Sequence, residues 1–383
     1  YASMIPIPDC KSFNGYKPCH PYHNCLTEGC KEDNPIGKKI LLINLDAMGD
    51  VIMTTSHLVS IKKKYPVSTL YWITDKISVP LLQNNPLIDK VLPYTFESVE
   101  HCKCIQFDAV MNLDKSHRAA ALLTLTQSKE KFGFGLNENG VIVPVNEGAL
   151  YNYRLGLDDQ LKFRVNTRLR RDYVAETLEI PYDPTDEYIF QFTTEEEHFI
   201  DAYRQKHGIT QNDVIVGFNT GCSNLFPNKK MRVDQQQKLI SILLEKKLPN
   251  LKIILLGGPE DTIRNEQIAK PFGDKILSTP TTEGLRRGIC YEAIADLIIT
   301  GDSFGMHLGI ALKKHIVSWF GLSCQSEIDL YGRGIKLYPT DLECSPCWKK
   351  TCPHNLECIS QIDLDAIIAE TVRFYEERIR HQS

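Results

Sequence analysis

From residue 38 onward the apolar positions fall in short continuous runs separated by amphipathic stretches, the pattern of buried strands alternating with helices. Lys39-Ile40-Leu41-Leu42-Ile43-Asn44-Leu45 is the first such run. After the turn Asp46–Asp50, the residues Val51, Ile52, Thr55, Leu58, Val59 and Lys62 recur at helical spacing as far as Tyr65-Pro66, and 69–74 reads as the next strand. Segments 90–93 and 108–113 predict further strands, and 119–126 a helix. A polar helical stretch spans Thr193–Thr210, after which the alternation restarts. Strands are predicted over 214–218, 251–256, 276–277, 297–300, 316–319 and 335–338, with helices over 234–246, 261–270 and 306–311. Leu364, Ile367, Ile368, Val372, Tyr375 and Ile379 then share one face of a closing amphipathic helix.

This alternation predicts an α/β protein with two doubly wound sheets and a ligand cleft at their strand C-termini. The expected divisions are a Cys-rich arm over 1–37, a first Rossmann-like domain over 38–205, a second over 206–361, and a terminal helix over 362–383 packing back on the first domain. The length of 383 residues suits two to three domains, and 42% hydrophobic against 24% charged residues excludes a disordered chain. The net charge of −4 gives no footprint for bulk nucleic-acid binding. No apolar run is long enough for a membrane span, and the first residues lack the basic and apolar regions of a secretory signal, so a cytoplasmic protein is expected, with Met4 read as the native start. In that compartment thirteen cysteines point to thiols or thiolate–metal sites before disulfides.

Several stretches carry candidate chemistry. Gly49 permits close backbone approach and Asp50 opens a helix, where it is either an N-cap or a general base. Gly257-Gly258-Pro259-Glu260-Asp261 follows a strand, and Glu260 or Asp261 is placed to bind a sugar hydroxyl or simply to connect strand to helix. Gly301-Asp302-Ser303-Phe304-Gly305-Met306-His307 leads into a helix whose free amides suit a diphosphate, or only cap that helix. Thr220, Ser223, Lys229 and Lys230 add hydroxyls and two ammonium groups after the first strand of the second domain. Cys344, Cys347, Cys352 and Cys358 have compact metal-ligand spacing suited to zinc or iron, and Cys10, Cys19, Cys25 and Cys30 form a looser second set, with His20, His23 and His354 as possible substitutes. The single Asp-x-Asp pair, Asp363 and Asp365, opens the terminal helix, so no catalytic Mg²⁺ is expected.

Ile40 to Thr55, Pro80 to Val91, Leu255 to Asp261, Gly301 to Leu308, and the cysteine tail from Cys344 to Cys358 resemble, in order, the bacterial ADP-heptose:lipopolysaccharide heptosyltransferase family. The tail is also similar to that of the autotransporter heptosyltransferases. The resemblance implies a GT-B fold and an inverting, metal-independent transfer of heptose from ADP-heptose to a hydroxyl of a glycan, such as the lipopolysaccharide core, or of a protein. It puts the general base on Asp50 and the diphosphate-binding lysine on Lys229 or Lys230. Phosphate contacts fall on Asp302, Ser303, Phe304 and Gly305, with His307 and Gly49 beside the donor, and a nucleoside-side acid on Glu260; the Thr220–Ser223 loop lies against the phosphates. From their spacing the cysteine clusters are expected to hold structural zinc or iron, and no cofactor is expected for catalysis. Partners are expected to exclude nucleic acid and any transmembrane segment while allowing peripheral contact with the inner membrane. The arm before Gly37 and Met231 after the loop lysine depart from the lipopolysaccharide enzymes. Three other readings compete: a nucleotide-sugar 2-epimerase, a non-catalytic sugar-nucleotide-binding scaffold, and a zinc-module regulator of nucleic acid.

Overall fold

The structure, a computed structural model, describes residues 5–382, so Met4 lies outside the described residues. The chain forms two compact units. One takes the residues up to Ala47 with Ser56–Arg154 and Asp172–Asp186; the other takes Met48–Thr55, Leu155–Arg171 and the chain from Glu187 onward.

The first unit is built on β1 (Lys38–Ile43), β2 (Ser68–Thr74), β3 (Lys90–Pro93), β4 (Phe107–Asn112), β5 (Ser128–Leu136) and β6 (Ile142–Pro144), in lateral order β3-β2-β1-β4-β5-β6. The first five are parallel and β6 runs antiparallel to β5. Every residue of β2 is buried, which is why it reads as a continuous run and not as an in–out alternation. Leu41, Ile43, Ile73, Phe107, Val110 and Leu122 form the core on one side. β5 was not foreseen, because its first half, Ser128-Lys129-Glu130-Lys131, is polar and Gly133 and Gly135 interrupt the apolar half.

The second unit repeats the plan with β7 (Val214–Asn219), β8 (Leu251–Leu256), β9 (Leu277–Ser278), β10 (Leu297–Gly301), β11 (His315–Trp319) and β12 (Gly334–Leu337), all parallel, in lateral order β12-β11-β10-β7-β8-β9. Counted within each unit, both sheets run third, second, first, fourth, fifth, sixth. The order reverses between β1 and β4 and between β7 and β10, and at such switch points the loops diverge and leave a crevice.

Two expectations are corrected. The helix expected over 51–65 is broken into Met48–Thr54, a 3₁₀ turn Thr55–His57, and Leu58–Lys64. Thr55 Oγ1 donates to the Ile52 carbonyl at 2.5 Å and accepts from the Ile189 amide at 2.8 Å, a local competition that ends the α-helical ladder. The terminal helix, Leu364–Gln382, packs on the second unit and not on the first domain. Its Ile367 and Ile368 join the core made by Val216, Leu239 and Leu255, and Tyr375 donates to the Pro249 carbonyl at 2.8 Å. The sequence gives the apolar face but not which sheet will cover it. Among the described residues no helix is long and apolar enough to cross a membrane.

Candidate active site

The turns after β7 and β10 meet through side chains. Asn219, the last residue of β7, donates to Thr300 Oγ1 and Ser303 Oγ, both at 2.9 Å. Ser303 is the N-cap of the helix Phe304–Ala311, yet its side chain makes no capping bond. The first turn of that helix is therefore left without a side-chain cap, an arrangement that can receive an anion. Gly305 packs against the Asn219 amide, where a side chain would collide.

Asp302, between β10 and this helix, pairs with Lys229 Nζ at 2.7 Å. Burial alone would raise its pKa, but Lys229, His307 and Ser323 together hold it below the usual carboxylate range. Lys229 is fixed from two further sides: its ammonium lies 4.6 Å from the Trp348 ring centroid and its carbonyl accepts from Trp319 Nε1 at 2.9 Å. Lys230 instead reaches Asn224 Oδ1 at 3.2 Å. Thr220 is turned inward, its hydroxyl bonded to Asn265 and its carbonyl accepting from Arg264 Nε at 2.9 Å and Gln236 Nε2 at 3.1 Å. Ser223 is exposed and accepts from the Leu225 amide at 3.1 Å.

Of the two acids after β8, Glu260 is exposed and accepts from the Asn224 amide at 3.3 Å. Asp261 is buried, accepts from the Gly258 amide at 3.0 Å, and leaves Oδ1 without a hydrogen-bond partner. Burial pushes its pKa up. Gly221 lies directly against this carboxylate and has no room for a side chain.

Asp50 stands in the first turn of the helix Met48–Thr54, within the second unit, and its Oδ1 is 3.0 Å from Arg170 Nη1. Gly49 brings that helix onto the helix carrying His307: a Cβ on Gly49 would come within 2.6 Å of the imidazole. His307 is buried, with the Tyr188 hydroxyl 3.5 Å from Nδ1 and the two rings stacked at 6.1 Å. Burial depresses its pKa against the opposing pull of Asp302 and Asp50. The imidazole thus links the carboxylate of one turn to the diphosphate-type turn of the other.

The structure therefore gathers Gly49, Asp50, Lys229, Asp302, Ser303, Phe304, Gly305 and His307 in one unit, with Thr220 as an internal strut and Glu260 at the surface. Sequence reasoning missed Arg170, Tyr188 and Trp348, and gave Asn219 no role of its own. The basic run Arg168-Leu169-Arg170-Arg171 was a readable signal in a chain of balanced charge; Tyr188 offered none. Chemically, a carboxylate beside a guanidinium can take a proton, and an ammonium with free helix amides can stabilise a departing phosphate.

Each cysteine cluster lines its own cavity. Cys344, Cys347, Cys352, Cys358 and His354 surround a recess of about 240 Å³. Burial, followed by the neighbouring Cys347, Cys352 and Cys344, pushes the Cys358 thiol up to about 11. Arg164 fastens this loop by donating to the Ser345 carbonyl at 3.0 Å and the Glu343 carbonyl at 2.5 Å. Among the described residues no three His, Cys, Asp or Glu side chains stand gathered as a ready metal-binding group.

Residues 100–357 match the profile of glycosyltransferase family 9 (heptosyltransferase). The lipopolysaccharide heptosyltransferase 1 of Campylobacter coli is 26% identical over 309 residues, which covers 74% of this chain and 84% of that protein. A glycosyl transferase family 9 structure from Veillonella parvula superposes with a TM-score of 0.69 at 19% identity, covering 89% of this chain and 98% of that one. The dodecameric iron-containing heptosyltransferase TibC of enterotoxigenic E. coli, solved with ADP-D-beta-D-heptose, gives a TM-score of 0.53 at 11% identity, covering 89% of this chain and 77% of that one.

Proposed function

Because the chain belongs to glycosyltransferase family 9, the heptosyltransferases, and has the GT-B fold, we propose that it transfers heptose from ADP-heptose to a hydroxyl of the lipopolysaccharide core, with inversion and without a catalytic metal. The epimerase, scaffold and nucleic-acid readings give way to this membership. Asp50 takes the proton of the acceptor hydroxyl as its oxygen bonds to the anomeric carbon from the face opposite ADP. The bond from that carbon to the diphosphate breaks as the new one forms, and Lys229 with the amides of Phe304 and its neighbours receives the charge on departing ADP. Ser223, Lys230 and Glu260 line the outer part of the donor site, and His307 lies between the two turns. The observation that carries this reading is Lys229 paired with Asp302 at 2.7 Å beside an uncapped helix N-terminus.

The tail cysteines Cys344, Cys347, Cys352 and Cys358 would hold a structural zinc or iron, which supplies a cross-link for the loop carrying Trp348 and takes no part in the chemistry. Their four sulfurs around one recess are the donor set such an ion requires. The enzyme is assigned to the cytoplasm, with peripheral contact at the inner membrane where its acceptor is built.

Incubating the protein with ADP-heptose, and with UDP- and GDP-sugars as controls, on heptose-free core acceptor tests the reading by mass spectrometry. The expected result is one added heptose, from the ADP donor alone, with anomeric configuration opposite to the donor's by NMR. Transfer from a UDP-sugar, or retained configuration, would overturn it.

A further inference from the structure

We propose that the N-terminal arm folds around one thiophilic divalent ion, zinc or ferrous iron, held by the sulfurs of Cys10, Cys19, Cys25 and Cys30. Residues 5–37 contain no helix or strand, and only Cys10 and His23 among them are buried. So little apolar burial does not offset the entropy of ordering such a segment, and loop-rich pieces of this size depend on cross-links. The four sulfurs line one cavity of about 10 Å³ together with Lys17 and Lys31, a volume on the scale of a single small occupant.

The donor chemistry points to an ion and not to a disulfide. Cys10 Sγ and Cys30 Sγ are 3.3 Å apart, far beyond the ~2.05 Å of a disulfide. A tetrahedron of ~2.3 Å zinc–sulfur bonds has an edge of about 3.8 Å, so the two thiols, hydrogen-bonded at 3.3 Å, part slightly as an ion enters. Both histidines of the arm are committed elsewhere. His23 Nε2 lies 2.6 Å from the Gly29 carbonyl and Nδ1 3.1 Å from Glu28, while His20 Nε2 lies 2.5 Å from Glu32. Four thiolates on a divalent ion carry two net negative charges, which Lys17 and Lys31 on the cavity wall offset.

No ready metal-binding group is formed among the described residues; Cys19 and Cys25 close on the ion as it binds, so that binding and arm ordering are one event. Next to Cys10, Lys11 donates to the Ser68 carbonyl and to Asp89 Oδ1, both at 2.8 Å. These acceptors lie at the N-terminal ends of β2 and β3, the side of the sheet away from its strand C-termini, so the centre is structural.

The test separates the arm from the tail. Purified full-length protein carrying Cys344→Ser and Cys347→Ser is expected to retain about one equivalent of zinc or iron by elemental mass spectrometry, and adding Cys25→Ser and Cys30→Ser is expected to remove it. In the unmutated chain, exposed Cys19 is expected to resist iodoacetamide until a chelator is added, then to react at least tenfold faster; this readout decides even where a serine variant fails to fold. No ion in the tail variant, equal alkylation of Cys19 with and without chelator, or a Cys10–Cys30 disulfide by peptide mass would each overturn the proposal.

Discussion

At the C-terminal ends of β1 and β2, Asp46 and Asp75 both reach Arg118, at 2.7 and 3.0 Å, with the Arg118 and Asp46 side chains 40% and 53% exposed. At the matching end of β10 in the second unit, Lys229 and Asp302 pair at the same 2.7 Å with 14% and 11% exposure. The two sheets share one strand order, so topology does not account for the contrast. An ion pair left in water costs little and contributes little. One withdrawn from water costs several kcal/mol in desolvation and persists only with further compensation, here Ser323, His307 and the Trp348 ring. The fold marks both strand ends as possible sites; the buried polar groups at the second are the reason the proposed function puts the charged ligand there.

The largest effect is expected where the proton is taken. Asp50→Asn should lower heptose transfer by about 10²–10⁴-fold with unchanged circular dichroism, and near-normal turnover would remove Asp50 from the mechanism. Lys229→Ala should reduce kcat/KM for ADP-heptose by about 10²-fold. It should also lower stability by on the order of 2 kcal/mol in urea titration, because Asp302 loses its buried partner.

A smaller effect comes from His307. Burial keeps its folded pKa below the ordinary value of 6.5, so the unfolded chain binds the extra proton more readily. Its stabilising contribution is complete above about pH 6.5 and is lost as pH falls from there toward the folded value. Thermal melts between about pH 7.5 and pH 5 should show a fall in Tm for the wild type that is shallower in His307→Asn; parallel curves would contradict the assignment.

The smallest effect belongs to the exposed counterpart. Arg118→Ala should change stability by less than about 1 kcal/mol and leave ADP affinity unaltered by calorimetry. A loss comparable to that of Lys229→Ala would erase the contrast between the two strand ends.

Strands were legible where apolar residues cluster between turn signals, as in Leu251–Leu256, whose last four residues are buried, and the partly buried edge strand Lys90–Pro93, both of which appear with the predicted limits. β5 and the helix Leu285–Ala293 were not, since charged residues and Gly133, Gly135 and Gly288 dilute their patterns and only tertiary packing completes them. In the candidate site, the turn residues Asp50, Asp302 and Ser303 could be read because glycines and strand ends flank them. Arg170 and Tyr188 could not, since their part depends on which distant segment the chain folds against. Lys229 and Lys230 were indistinguishable as neighbours in sequence; only folding gives Lys229 the acid and the indole.

Hydrogen exchange with mass spectrometry reads directly which unit binds the donor's diphosphate. Adding saturating ADP should slow exchange in peptides covering 219–230 and 301–307 and leave those covering 71–76 and 113–118 unchanged. Protection confined to the first unit's strand ends, or none in either set, would contradict it.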